Sequence, residues 1–162
     1  MIKHFEFKKD AAKKKILVER GFNAPIAQVW AAWTERELLD QWWAPKPWQA
    51  ETKTMDFRPG GLWIYAMVGP DGTRMFSRAD FTTVSEKMGF GYFSAFCDEN
   101  GVRNFDFPSV TWNVAFTELL AGTQVNVELA FEKEADFEKL IAMGFEGGFT
   151  AGLNNLDNLL AK

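Results

Sequence analysis

A catalytic site needs positioned acids, bases, nucleophiles or a metal, and this sequence offers few of them. Imidazole is the usual acid/base group near neutral pH, but the one histidine, His4, lies in a lysine-rich N-terminal strip and reads as a surface residue. The one cysteine, Cys97, precedes Asp98-Glu99-Asn100-Gly101 with no histidine near it in sequence. A reactive thiolate needs a cationic setting, so Cys97 reads as a bystander. Metal-ligand spacing is absent, as neither histidine pairs nor Cys/His clusters occur. The glycines of Arg58-Pro-Gly-Gly61 and Glu146-Gly-Gly148 do not lead from a strand into a lysine-bearing helix start, so no phosphate loop is expected. Carboxylates remain: Glu51, Asp56 and Asp80 on predicted strands, with Arg58 and Arg78 able to pair with them. If the parity of Phe76 points inward, Arg78 and Asp80 form a buried polar anchor, able to orient a ligand or do cyclase- or isomerase-type proton transfer. On the other parity they form a surface cross-strand pair. No metal and no cofactor are expected.

The second signal is aromatic. Five of the seven tryptophans fall within Trp30-Ala-Ala-Trp33 … Gln41-Trp42-Trp43-Ala-Pro-Lys-Pro-Trp48. Each ring brings a large apolar surface and an N–H that needs a partner. Such density either fills the core between helices and sheet or forms the wall of a cavity.

The chain has 162 residues, 47% of them hydrophobic, which suits one domain with a substantial core. A net charge of −4 and an isoelectric point near 5.1 lack the basic face that nucleic acid requires. A single cysteine excludes an intramolecular disulfide framework. No apolar run has signal-peptide or membrane-spanning length, so a soluble cytoplasmic protein is expected, monomeric or homodimeric.

These residues must be positioned by a recognisable series of elements. Residues 1–13 form an arm or edge strand carrying Lys8, Lys9 and Lys13. Ile16 to Phe22 reads as a strand. A helix then starts at Pro25, capped by Asn23 or Ala24, with Ile26, Val29, Trp30 and Trp33 on one face. Thr34 and Glu37 fit a capping box for a second short helix, from Glu35 to Trp42 or Trp43, with Leu38, Leu39 and Trp42 as its apolar face. Short strands follow, divided by turns at 58–61 and 69–72. In 62–68 the set Trp63, Tyr65, Met67 shares a face; in 88–97 so does Phe90, Tyr92, Ser94, Phe96. The inward face of 75–84 stays open. Val110, Trp112, Val114 and Phe116, then Val125, Val127, Leu129 and Phe131, alternate with polar residues as in an antiparallel sheet covered on one side. From Glu134 to Ala161 apolar residues recur at helical spacing, through Phe137, Leu140, Phe145, Phe149, Leu153 and Leu156. Gly144, Gly147, Gly148 and Gly152 in its middle imply a bend, a break or a close approach.

The run Glu19-Arg20-Gly21-Phe22-Asn23-Ala24-Pro25, then Val29-Trp30-Ala31-Ala32-Trp33-Thr34 and Gln41-Trp42-Trp43-Ala44-Pro45, resembles the bacterial relatives of the activator of heat-shock protein 90 ATPase. These belong to the START-like, helix-grip (SRPBCC) superfamily, which includes the birch-pollen allergen. Asp56-Phe57-Arg58-Pro59-Gly60-Gly61, Phe116-Thr117-Glu118 and Met143-Gly144-Phe145 continue the likeness, which covers residues 14–161. It departs at Ala79, where relatives usually have Gly, and at Phe145, where they often have Trp. The resemblance implies an α+β helix-grip fold. In it a curved antiparallel sheet of six or seven strands wraps around one long C-terminal helix, with two short helices after the first strand.

Three functions fit. The first is non-catalytic binding of a small apolar molecule, lipid-, isoprenoid- or polyketide-like, in a cavity of several hundred Å3. Its lining would be Trp33, Leu38, Trp42, Trp63, Tyr65, Phe90, Tyr92, Trp112 and Val114, facing Phe145, Phe149 and Leu153, with Arg78 and Asp80 as a candidate anchor. The second, which the resemblance brings, is a stress-response module that docks on a chaperone ATPase or another protein. The third is a cyclase or dehydratase. No nucleic acid and no membrane partner is expected.

Overall fold

The computed structural model describes residues 4–162; the start of the N-terminal strip, residues 1–3, lies outside them. Among the described residues one antiparallel sheet of eight strands carries the fold: β1 (Phe5–Asp10), β2 (Lys15–Phe22), β3 (Gln49–Met55), β4 (Leu62–Val68), β5 (Arg74–Ser85), β6 (Gly89–Cys97), β7 (Ser109–Leu119) and β8 (Gly122–Ala130). Their order is β1-β2-β8-β7-β6-β5-β4-β3, so the sheet has eight strands rather than the six or seven expected. The lysine-bearing strip adds one: β1 pairs with β2 from Phe5↔Arg20 to Asp10↔Lys15.

Helices α1 (Ile26–Thr34) and α2 (Arg36–Trp42) bridge β2 to β3. Their caps differ from expectation. Pro25 is the N-cap of α1 and Glu35 that of α2, neither with a side-chain bond. Thr34 cannot close a capping box because it lies in the last turn of α1, where its hydroxyl donates to the Trp30 carbonyl at 2.8 Å. The apolar faces converge on the sheet: Val29, Ala32 and Trp33 from α1, Leu39 and Trp42 from α2.

The expected continuous C-terminal helix is two, α3 (Glu134–Ala142) and α4 (Phe145–Leu160). Gly144 stands between them at φ +90, a left-handed conformation natural to glycine, and the chain turns there. Phe149, Leu153 and Leu156 of α4 are buried against the sheet. Polar clamps fix its position. Buried Arg20 of β2 donates to Asn154 at 3.0 Å, and the Asn155 amide donates to the Ala44 carbonyl at 3.0 Å. Gly152 lets α4 approach α2 closely, since a Cβ there would lie 3.3 Å from the Trp43 carbonyl oxygen. Among the described residues no helix is long and apolar enough to cross a membrane.

Candidate functional site

The inward parity of each strand decides what the helices face. On β4 it is Trp63, Tyr65 and Met67; on β6, Tyr92, Ser94 and Phe96; on β7, Val110, Trp112, Val114 and Phe116. On β5 it is Met75, Ser77, Ala79 and Phe81, which settles the face that the pattern of 75–84 left open. Phe76, Arg78 and Asp80 therefore lie on the outer face.

At the end of the sheet nearest α1 this inner face is packed with aromatic rings. Trp30 meets Phe57, Phe90 and Phe116 at ring separations of 5.9, 6.0 and 5.1 Å. Trp33 packs edge-on to Trp42 at 4.8 Å, and the Trp42 N–H reaches the Ala32 carbonyl at 2.8 Å. Trp63 stacks on Tyr65 at 4.3 Å and donates to the Thr52 hydroxyl at 3.1 Å.

Towards the other end the side chains shrink and a space opens. A cavity of about 220 Å3 lies between β4–β7 and the junction of α3 with α4. Its sheet wall is Tyr65, Met67, Met75, Ser77, Ser94, Phe96, Val110 and Trp112, with Pro108 beside them. Its helix wall is Trp43, Pro45, Leu140, Met143, Gly144, Phe145, Gly148 and Phe149. Two glycines here contribute no side chain, and Phe145 and Phe149 stack at 5.2 Å with their edges to Trp112. Partly exposed Met67, Met75 and Met143 give the wall a soft, adaptable surface.

Four residues expected on a cavity wall line this one: Tyr65, Trp112, Phe145 and Phe149. Trp33, Trp42, Trp63, Phe90, Tyr92, Val114 and Leu153 are core residues away from it, and Leu38 is half-buried on α2. The indoles are consumed by packing on one another, so the space is smaller than the several hundred Å3 expected. Sequence reasoning passed over Trp43, which faces the cavity as Trp112 does, together with Ser77, Ser94, Phe96, Met67 and Met75. The parity Phe90-Tyr92-Ser94-Phe96 contained the signal for two of them.

The cavity's polar groups are uncharged. Burial pushes the Tyr65 phenol pKa up, with Trp43 and Ser77 beside it opposing the shift, so the hydroxyl stays protonated. The indole nitrogen of Trp112 is buried without a hydrogen-bond partner. Arg78 and Asp80 are not the cavity anchor. They pair with each other on one strand at 2.8 and 3.0 Å, and Arg78 also donates to the Gly101 carbonyl at 2.7 Å. Asp80→Asn or Arg78→Ala is therefore expected to leave ligand affinity within about twofold and to shift stability by about 0–1 kcal/mol in a urea titration.

The remaining reactive groups also lie on the outside. Burial raises the Cys97 thiol pKa against the opposing pull of Arg78, which keeps it a thiol. Glu51 pairs with Arg74 at 3.0 Å and Asp56 with Arg58 at 2.7 Å. His4, Glu6 and Glu19 bring ligand atoms within 4.8 Å of one another, a group that sequence spacing missed because Glu19 comes from the neighbouring strand. Its members are already engaged, His4 with Glu19 at 2.8 Å and Glu6 with Lys8 at 3.0 Å.

Solved structures share this architecture. A protein of Arthrobacter aurescens, solved by NMR, superposes with a TM-score of 0.91 at 29% identity, over 96% of this chain and 91% of that one. The crystal structure of protein Ms6760 from Mycobacterium smegmatis gives 0.89 at 28% identity, over 98% and 97%. A Staphylococcus epidermidis protein gives 0.83 at 29%, over 96% and 93%. No curated protein matches the chain. The family model described as activator of Hsp90 ATPase homolog 1-like protein matches residues 23–161, from the first helix through the last, and the chain belongs to that family.

Proposed function

We propose that this protein binds a small apolar molecule in the cavity between β4–β7 and the α3–α4 junction and performs no chemistry on it. The observation that carries the reading is the lining itself: indoles, phenyl rings, thioethers and three hydroxyls around about 220 Å3. Cavities of this make-up bury most of a small ligand's surface. A ligand entering beside Trp43 and Trp112 should change tryptophan emission. At a hundredfold excess over Kd it should add about 2.7 kcal/mol, raising the melting temperature by roughly 5–11 °C for a chain of this size. Ser94→Leu, which fills the cavity from the sheet side, should abolish both responses while circular dichroism stays native. A broad apolar panel that changes neither signal would overturn the reading.

The described residues of the lining offer no group that exchanges a proton near neutral pH. Purified protein is accordingly expected to show no turnover of ester, epoxide or polyketide-like substrates. Turnover that disappears in Tyr65→Phe would contradict this.

A second reading, docking on a chaperone ATPase, draws on the opposite end of the sheet. There Met88 and the Leu119-Leu120 tip expose large apolar side chains. Stimulation of a chaperone's ATP hydrolysis, lost in a Leu119→Ser/Leu120→Ser variant, would favour it.

A further inference from the structure

We infer that the cavity takes a neutral molecule of one or two rings bearing a single oxygen function, such as a phenol or aryl ketone, and excludes carboxylates and long acyl chains. The inference rests on the ligand-binding reading above and narrows it by size, shape and charge.

Size comes first. A cavity of about 150 Å3 lined by aliphatic and phenyl groups accepts benzene. Scaled to about 220 Å3, the same occupancy corresponds to about nine non-hydrogen atoms. That is a fused bicycle or a substituted single ring. A sixteen-carbon chain would leave a large part of its length in water, losing the burial that drives its binding.

Shape follows from the walls. Trp43, Tyr65, Phe96, Trp112, Phe145 and Phe149 supply six rings. Rings favour flat partners, through stacked or edge-on contact, over a flexible chain that must also be ordered on binding.

Charge is the sharpest restriction. No Lys, Arg, His, Asp or Glu stands among the described residues that line it. Lys139, next to Leu140 on α3, turns to the Asp106 carbonyl and the Phe107 ring instead. A carboxylate in the cavity would be desolvated with no counter-charge, which disfavours it strongly. A neutral oxygen fares differently. Tyr65 and Ser77 face each other across β4 and β5, and Ser94 is the diagonal neighbour of Ser77 across β5 and β6. Three hydroxyls thus gather on the sheet wall. The unpartnered N–H of Trp112 adds a donor that lacks an acceptor. The ligand's oxygen belongs against this wall, and its rings against Phe145 and Phe149.

The test is calorimetric titration of the full chain at pH 7 with four probes: 2-naphthol, naphthalene, 2-naphthoate and palmitate. 2-Naphthol should bind at least tenfold more tightly than naphthalene, and at least tenfold more tightly than 2-naphthoate or palmitate. A Tyr65→Phe/Ser77→Ala variant should bring the naphthol-to-naphthalene ratio near one. A folding defect would weaken both probes together and leave that ratio intact. Equal binding of naphthol and naphthalene by the parent chain, or an unchanged ratio in a variant whose circular dichroism and naphthalene affinity match the parent's, overturns the oxygen assignment. 2-Naphthoate or palmitate binding as tightly as 2-naphthol overturns the ligand class and leaves the cavity reading standing. If none of the four binds, the cavity reading falls with it.

Discussion

Trp43→Ala should lower the free energy of unfolding by about 3–5 kcal/mol, the range for removing a buried tryptophan. The midpoint of thermal unfolding should fall by roughly 6–20 °C for a chain of this length. Trp43 is 8% exposed and is the hub of the aromatic core. Its ring lies 6.1 Å from Trp33, 5.3 Å from Trp42, 5.5 Å from Trp63, 6.3 Å from Tyr65, 5.7 Å from Trp112 and 6.1 Å from Phe149. These partners come from α1, α2, β4, β7 and α4, so the surroundings cannot collapse on the void without moving several elements. The void would also merge with the cavity. Calorimetry and a urea titration would measure the loss; a change under 1 kcal/mol would mean that the hub is dispensable.

Gly61→Ala should be at least as damaging, costing about 4 kcal/mol or more, a size reserved for a few definite mechanisms. Here the mechanism is steric. A Cβ at position 61 would stand 1.9 Å from the Asp56 carbonyl oxygen and 3.0 Å from that of Arg58. Both obstacles are backbone, and the turn cannot loosen to admit the methyl group. Asp56 N bonds Leu62 O at 2.9 Å, Gly61 N bonds Arg58 O at 2.8 Å, and Gly60 N bonds Phe81 O at 2.8 Å. The control lies in α4. A Cβ at Gly147 meets nothing within 4 Å, so Gly147→Ala should add about 0.5–1 kcal/mol through helix propensity. Opposite shifts of the urea midpoint are expected; a Gly61→Ala protein within 1 kcal/mol of the parent would show that the turn yields.

Strands with one wet face and one buried face were legible in the sequence, because alternation is then the direct imprint of burial. Val110, Trp112, Val114 and Phe116 are buried as their period of two implies, as are Val125, Val127, Leu129 and Phe131. β1 left little such imprint, since an edge strand with no fully buried residue needs no sustained apolar alternation. β5 was ambiguous because Phe76 on one parity and Phe81 on the other are equally apolar; only pairing with β4 and β6 chooses between them. The break at Gly144 was visible as a glycine cluster, but its position depends on φ, which composition does not encode. The cavity was least legible. Local pattern shows which residues point inward, whereas a void depends on how inward side chains from distant strands fill space together. The serines opposite α4 open the space, whereas most of the tryptophans of residues 30–48 fill the core.

The sheet order also constrains how the chain can fold. From β3 to β8 each strand pairs with the next, so these contacts form between near neighbours in sequence. The β1–β2 hairpin instead pairs with β8, joining Ile16 to Leu129, and the Thr123 hydroxyl locks to the Ala24 carbonyl from 99 residues away. On a ribosome the first hairpin emerges long before its partner strand exists. Buried residues such as Ile16, Val18 and Phe22 must stay uncovered until β8 has been made. Non-local strand pairing of this kind slows folding and prolongs exposure of apolar surface. During synthesis, the N-terminal strands are therefore the segment with most need of a chaperone.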